Sequence, residues 1–486
     1  MRPAGIAWAL LLAGCAGTPT VSGVRGTSPS PAVPWTPPAE VVPKVAAADT
    51  SARAAVPPDL SERIRNLTLG EIVDLGLRNN PTTRLAWANA RTAASVYGSE
   101  RGAWFPTIDA EVAASRLKTA ASQGRTAVEQ SVLTPSVTLN YLLFDFGGRS
   151  GRVGAARQRL VAASFAHNAA IQDVVLQIQV AYFQYLANRA LLEAQRTTVK
   201  EANTNLTAAE ERRRVGLATI ADVLQARTAA SQAQLDFQTI EGNVQVTRGA
   251  LALSLGLPAN LPYDVDSSAA IAPVAPLADS VNAIIATALQ GRPDLAASRA
   301  EVEAARSGIT ETRGALLPSL GFSATGGRTY ATTIPDGANS YSLSLGLSIP
   351  LFNGFSRQYD MRAAEFETEA ARARSESLRQ EVVFQVFRAY SDLQTATRRV
   401  ATAEDLLASA TQSNEVALGR YKAGVGSVLD LLAAQSALAS ARAQQVEARL
   451  AWSVSLAQLA HDAGVLDPRI ENPLRLTTDT TAAPPR

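Results

Sequence analysis

The sequence predicts a mixed α and β membrane protein in which one unit, ordered helix, strand, strand, helix, helix, is written twice. Three observations predict it. Landmarks recur at a near-constant distance: Asn80-Pro81 as Arg292-Pro293, Phe105-Pro106 as Leu317-Pro318, and Leu143-Phe144-Asp145-Phe146-Gly147 as Pro350-Leu351-Phe352-Asn353-Gly354. The offset begins at 212 residues and drifts to 207 and 208, as a duplication with small loop changes would leave it. Each half then carries a proline-free run of about 65 residues after Gly147 or Gly354, about 100 Å of helix at 1.5 Å per residue, which is too long for a globular domain. Ahead of each run the apolar period changes to two. Val137, Leu139, Tyr141 and Leu143 alternate with polar neighbours, as do Tyr341, Leu343, Leu345, Leu347 and Ile349.

At the amino terminus, Met1-Arg2 precedes a short apolar stretch and then Leu12-Ala13-Gly14-Cys15. Residues 1–14 read as a secretory signal, too short to span a membrane as a mature helix. The last four residues resemble the bacterial lipobox, which makes Cys15 the candidate acylated terminus, and Ala16 in place of Asp resembles an outer-membrane sorting signal. Residues 15–60 are rich in Pro, Ser, Thr and Ala and read as a tether or a strap, because such a segment buries too little surface to order itself. The first repeat is assigned to 61–262, the second to 263–467, and a loose polar tail to 468–486.

Within the repeats, helix formers run from about Leu69 to Trp104 and stop at Phe105-Pro106; the counterpart runs from about Ala278 to Leu316. Strands of about ten residues follow, with the first of each pair over Thr107–Leu117 and Ser319–Tyr330. The long helices carry Val174, Val175, Ile178, Tyr182, Leu186 and Val382, Val383, Val386, Tyr390, Leu393 at packing-stripe spacing. Each long helix turns at Gly216 or Gly424, where a helix-terminating glycine is expected, and returns as a helix of about 37 residues. Thr219 to Asp222 and Ser427 to Asp430 have capping-box form, so capping alone accounts for that spacing.

Four short strands pose a physical problem. In hydrocarbon every backbone N–H and C=O needs a partner within protein, so an open sheet of four strands would leave two costly edges. Other copies of the chain would have to meet those edges, in a barrel with lipid outside and water inside. A soluble hairpin packed on a helix would show the same alternation.

Composition narrows the remaining classes. Lys plus Arg number 45 against 43 acids, a formal charge of +2, so no basic balance points to nucleic acid. One cysteine and two histidines, His167 and His461, leave no clustered ligands for a metal and no Cys/His nucleophile; each histidine reads as an ordinary helix residue. No motif calls for a cofactor, and the chain reads as a non-enzyme.

The arrangement and the duplicated glycine-to-aspartate turn, from Val215 to Leu224 and from Ala423 to Leu432, resemble the TolC-like outer-membrane efflux proteins, particularly the lipid-anchored ones. The resemblance covers about Leu67 to Asp467. It implies a homotrimer whose twelve-stranded outer-membrane β-barrel continues into a long periplasmic α-helical barrel. It implies passive export of small molecules, drugs or metal ions, in a tripartite system with a periplasmic adaptor (membrane fusion) protein and an inner-membrane pump of RND type. Type I protein secretion is the alternative within the class; a lipid-anchored periplasmic coiled coil with a structural task is the alternative outside it. The resemblance further implies that Val215, Gly216, Leu217, Ala423, Gly424 and Val425 are tips that meet the adaptor. Asp222, Tyr421 and Asp430 match positions at the periplasmic gate, Asp430 both capping its helix and adding to a carboxylate ring. The sequence departs from that pattern at Gly426, where the family has an Arg, and at Ala433, where it has a second acid. Closure is therefore expected to rest on packing and hydrogen bonds instead of salt bridges.

Overall fold

A computed structural model describes residues 28, 30–36, 67–119, 128–260, 263, 265, 280–332 and 334–466. The signal segment 1–14, Cys15, most of the 15–60 segment and the 468–486 tail lie outside the described residues. The elements in chain order are α1 (Leu69–Asn79), α2 (Pro81–Arg101), a 3₁₀ turn (Gly102–Trp104), β1 (Thr107–Thr119), β2 (Val128–Phe144), α3 (Gly148–Arg214) and α4 (Ile220–Ser254). The same order returns as α5 (Val281–Gly291), α6 (Pro293–Ala315), β3 (Ser319–Ala331), β4 (Ile334–Ser348), α7 (Ser356–Lys422) and α8 (Val428–Asp462).

Three expectations need correcting. The helices expected over 69–104 and 278–316 are each broken in two, at Asn80 (ψ 127°) and Arg292 (ψ 125°). Both residues precede proline, whose ring pushes its predecessor out of the helical region and supplies no N–H. The strands have 13, 17, 13 and 15 residues, longer than the ten expected. Antiparallel pairing carries each pair past the point where alternation fades. The returning helices have 35 residues instead of 37, ending ahead of Gly256 and Gly464, whose positive φ stops them.

The chain divides into two compact units. One holds the sheet with the helix segments 88–101, 148–165, 296–315 and 356–377. Its sheet is antiparallel in the order β1-β2-β3-β4. Proline at 135 sits in the second strand, and the β2–β3 register passes from Leu133↔Tyr330 to Ser136↔Gly327 without a pair at 134 or 135. Proline has no N–H for the ladder, and glycine opposite tolerates the crowding: a Cβ on Gly327 would stand 2.8 Å from the Pro135 carbonyl.

The other unit holds the remaining helices, packed along the stripes read from sequence. Val174, Val175, Ile178 and Tyr182 are buried with Ile72, Leu77 and Leu251 in one cluster; Val382, Val386 and Leu393 are buried with Leu295 and Trp452 in the other. Farther along the hairpins the contacts become alanine on alanine, Ala202 with Ala230 and Ala233, which lets backbones approach closely. Two described residues of the amino-terminal segment, Pro31 and Trp35, bond to α3. The Asn168 side chain clamps the Trp35 backbone, accepting from its N–H at 2.6 Å and donating to its carbonyl at 2.7 Å. His167 is fully buried with Nε2 3.0 Å from the Pro31 carbonyl, and burial lowers its pKa.

The two halves diverge where each returning helix ends. In the first, Asn80 Nδ2 donates to the buried Ser254 carbonyl at 2.9 Å. In the second, the equivalents are Arg292 and Asp462, both buried. Arg292 donates to Asp294 at 3.0 and 2.6 Å and to Gln385 at 2.8 Å, and its Nη1 lies 3.9 Å from Asp462. His461 bridges Asp462 (2.9 Å) and Asp173 (2.8 Å), so it is no ordinary helix residue. Burial opposes its charge, but the bonds and charges of the two aspartates outweigh that and raise its pKa to about 9.

Replacing Arg292 with alanine should destabilise the protein by about 3 kcal/mol in denaturant titrations in detergent, because the buried network loses the cation that joins Asp294, Gln385 and Asp462 and keeps only His461 against Asp462. His461, with a folded pKa near 9 above its unfolded value of about 6.5, contributes stability that is complete below the lower value and lost as pH rises through about 9. His461→Gln should flatten that alkaline fall in a stability-against-pH profile.

Candidate functional site

Two regions carry the residues singled out by sequence. The first is the sheet. Pairing Ile108↔Leu139, Ala110↔Val137, Leu139↔Ala324, Tyr141↔Phe322, Phe322↔Leu345 and Ala324↔Leu343 puts most of the apolar residues on one face, with Leu117, Val132 and Leu142 on the other. The opposite face is mainly Ser, Thr, Asn and Gly with Asp109 and Glu111, crossed by rows such as Asp109, Thr138, Thr325, Ser342. On the apolar face Tyr341 is 86% exposed and Val112 69%. A water-facing sheet would cover such a surface. The outer edges of β1 and β4 have no strand partner among the described residues.

Where strands give way to helices, both repeats expose aromatic groups. Phe144 meets Phe146 edge-on at 4.7 Å, and Phe352 meets Phe355 at 5.5 Å. Sequence reading missed what holds the first elbow. Arg149 is buried, donates to the carbonyls of Leu142 (2.8 Å) and Ala103 (3.2 Å), stacks 4.0 Å over Trp104, and gives its backbone N–H to Asp145. Its signal was an arginine just inside a helix amino terminus, an unfavourable place for a cation unless local acceptors hold it.

The second region is the pair of hairpin turns. Gly216 and Gly424 have φ of +78° and +77°, and the N–H groups after them reach back to helix carbonyls: Leu217 to Arg212 at 2.7 Å, Val425 to Arg420 at 3.0 Å. Only glycine takes that conformation without strain, so the turn is set by local chemistry. Val215, Leu217 and Val425 beside them are more than half exposed.

Both capping boxes form. Asp222 accepts from the Thr219 N–H at 2.8 Å and Asp430 from the Ser427 N–H at 3.4 Å, while each hydroxyl accepts from the aspartate N–H. Tyr421 is set apart from these carboxylates in character: it is buried with Val428 and Leu431, and the Arg212 guanidinium lies 4.2 Å from its ring centre. Arg212 also donates to the carbonyls of Tyr421 (2.8 Å) and Lys422 (3.2 Å), tying the last turn of α3 to the last turn of α7. Sequence reasoning missed Arg212 because all three residues of Arg212-Arg213-Arg214 suit a helix carboxyl terminus equally.

Among the described residues no helix is long and apolar enough to cross a membrane, and no group of His, Cys, Asp and Glu could hold a metal ion.

Comparisons with known proteins agree on one family. Residues 72–257 and 284–465 match the pattern of the outer membrane efflux protein family. The chain is 30% identical over 395 residues to protein CyaE of Bordetella pertussis, covering 80% of this chain and 82% of that one. It is 24% identical over 400 residues to the solvent efflux pump outer membrane protein SrpC of Pseudomonas putida, covering 81% and 84%. The fold is similar to the Campylobacter jejuni CmeC outer membrane channel, with a TM-score of 0.73 at 18% identity over 89% of this chain and 95% of that one.

Gly424→Ala should cost about 1–2 kcal/mol through left-handed backbone strain, and Ser427→Ala about 1 kcal/mol through loss of the cap. Thermal unfolding in detergent checks both.

Proposed function

The chain belongs to the outer membrane efflux protein family, and on that premise we propose that three copies complete one twelve-stranded barrel in the outer membrane, continued by a periplasmic helical tube. It is an outer-membrane efflux channel and not an enzyme. The observation that carries the oligomer is the sheet: one apolar face, one polar face and two open edges, an arrangement hydrocarbon tolerates only once the edges are paired. The division into repeats at 61–262 and 263–467 is supported by the element order returning at near-constant offset.

Transport in this reading is passive. A periplasmic adaptor meets the tips at Val215, Gly216, Leu217, Ala423, Gly424 and Val425, whose exposed apolar side chains suit a protein partner. An RND-type pump supplies the energy, and small molecules, drugs or metal ions, leave through the water-filled bore. Acylated Cys15 anchors the chain in outer-membrane lipid. Asp222 and Asp430 serve first as caps, and Asp430 also faces the entrance, where a ring of three carboxylates attracts cations. Opening moves the hairpins between two packings, and the tie from Arg212 to the last turn of α7 holds the closed one.

In planar bilayers the purified oligomer should conduct, with Asp430→Ala lowering cation selectivity; unchanged selectivity removes that residue from the pore. Arg212→Ala should raise resting conductance severalfold, and a conductance equal to that of the parent protein removes the tie from the gate.

A further inference from the structure

β1 and β3 are equivalent strands of 13 residues, offset by 212 along the chain. The tenth residue of each is an arginine, Arg116 and Arg328. Register puts both on the apolar face, where Arg116 follows Val112 and Ala114 in alternation and Arg328 follows Ala324 and Gly326. Both lie at the hairpin end of the sheet, away from the helices, because β2 leads back into α3 and β4 into α7. Nearer the helices that face carries no charge on either strand, from Ile108 to Ala114 and from Leu320 to Gly326. Ile108 to Arg116 is about 26 Å along the strand, which a tilt of about 40° turns into about 20 Å of height. The arginines therefore stand near the far boundary of a layer whose near boundary is the aromatic elbow at Phe144 and Phe146.

Each arginine is steadied by the next strand of its own hairpin. Arg116 Nε donates to Glu129 at 2.8 Å and Nη2 donates to the same oxygen, which leaves Nη1 unpaired among the described residues. Arg328 Nη2 donates to the Asp336 carbonyl at 2.6 Å, and its guanidinium lies 5.4 Å from the Tyr330 ring centre. Gly337 makes room for it, since a Cβ there would stand 2.7 Å from Arg328 Nε. Lys118, on the same face one step beyond Arg116, is exposed and makes no hydrogen bond or ion pair among the described residues. At this level the apolar face thus gives way to three cations against one acid, Glu129.

We propose that Arg116, Lys118 and Arg328 bind the phosphate groups of an anionic glycolipid in the outer leaflet. This rests on the channel reading, which turns the apolar face toward lipid and the hairpin ends toward the cell exterior. A guanidinium steadied on one side presents its remaining N–H donors in a fixed plane, the geometry that phosphate oxygens accept, and the lysine adds a mobile charge beside it. The rim at the helix end is of another kind, with Trp104, Phe105, Phe144, Phe352 and Phe355 exposed, groups that suit a membrane boundary without calling for an anion. Two rims of different chemistry fit two leaflets of different chemistry. Two arginines per chain at equivalent positions in three copies make a ring of six, and a headgroup carrying several phosphates on a stiff saccharide can meet such a ring more fully than a single phosphodiester can.

The test is native mass spectrometry of the purified full chain in detergent, titrated with lipid A, with dephosphorylated lipid A and with phosphatidylglycerol. The parent oligomer should hold lipid A in preference to both other lipids. Arg116→Gln, Lys118→Gln and Arg328→Gln together should weaken lipid A binding at least about tenfold, since each lost cation removes a charge-assisted bond, while native mass and bilayer conductance stay those of the parent. Lys118→Arg should keep the binding. Equal retention of the dephosphorylated lipid, or lipid A binding unmoved in the triple variant, overturns the site. Should the triple variant not assemble, Lys118→Gln by itself, which breaks no bond within the protein, decides: unchanged lipid A binding overturns the site. Phosphatidylglycerol bound as tightly as lipid A overturns the assignment to a glycolipid. In each of these outcomes a conducting oligomer leaves the channel reading standing, whereas a parent protein that is a single, non-conducting chain sinks that reading and this site with it.

Discussion

Backbone hydrogen bonding at the outer edges of β1 and β4 governs the rest of the molecule. A sheet of four strands with one face of Leu, Val, Ile and Tyr belongs in hydrocarbon, and hydrocarbon offers no partner to an unpaired peptide group. In the proposed oligomer the strands are therefore a fraction of a larger sheet. Each half contributes one hairpin, and the register keeps the main apolar rows, Leu139 with Ala324 and Tyr141 with Phe322, on the same side across the junction from β2 to β3, so the two halves act as one amphipathic surface.

Duplication followed by local divergence explains most of the remaining detail. The proline at the start of α2 recurs at the start of α6, and each breaks the preceding helix in the same way. At the equivalent buried position, one half closes with an amide on a carbonyl, the other with an arginine, three aspartates and a protonated histidine. A neutral bond and a charged network thus occupy the same place in one architecture. The charged version joins α8 to α3, whereas the equivalent positions on α4 and α7, Leu253 and Glu381, are exposed.

Much of this was legible in the amino-acid order because it is local. The turn at Gly216 needs only a residue that tolerates positive φ, and the boxes at Thr219 and Ser427 need only an oxygen and a carboxylate three residues apart. The two-residue alternation of β4 likewise assigns its faces directly. Asn80 and Arg292 were legible too, since proline follows each, yet helix formers on both sides hid the break. Arg149, Arg212 and His461 were not legible, because in each case a partner lies far along the chain: Ala103 is 46 residues from the first, Tyr421 209 from the second and Asp173 288 from the third.

By itself the sequence determined the element types, their order, the duplication and the turn chemistry, all of which follow from interactions among neighbours or from a repeat that survives as text. Only the tertiary structure decided which arginine bridges the hairpins, which histidine carries a charge, and how far the strands extend. Those outcomes depend on groups brought together from distant parts of the chain, where burial removes water and leaves each polar atom dependent on the partner the fold supplies.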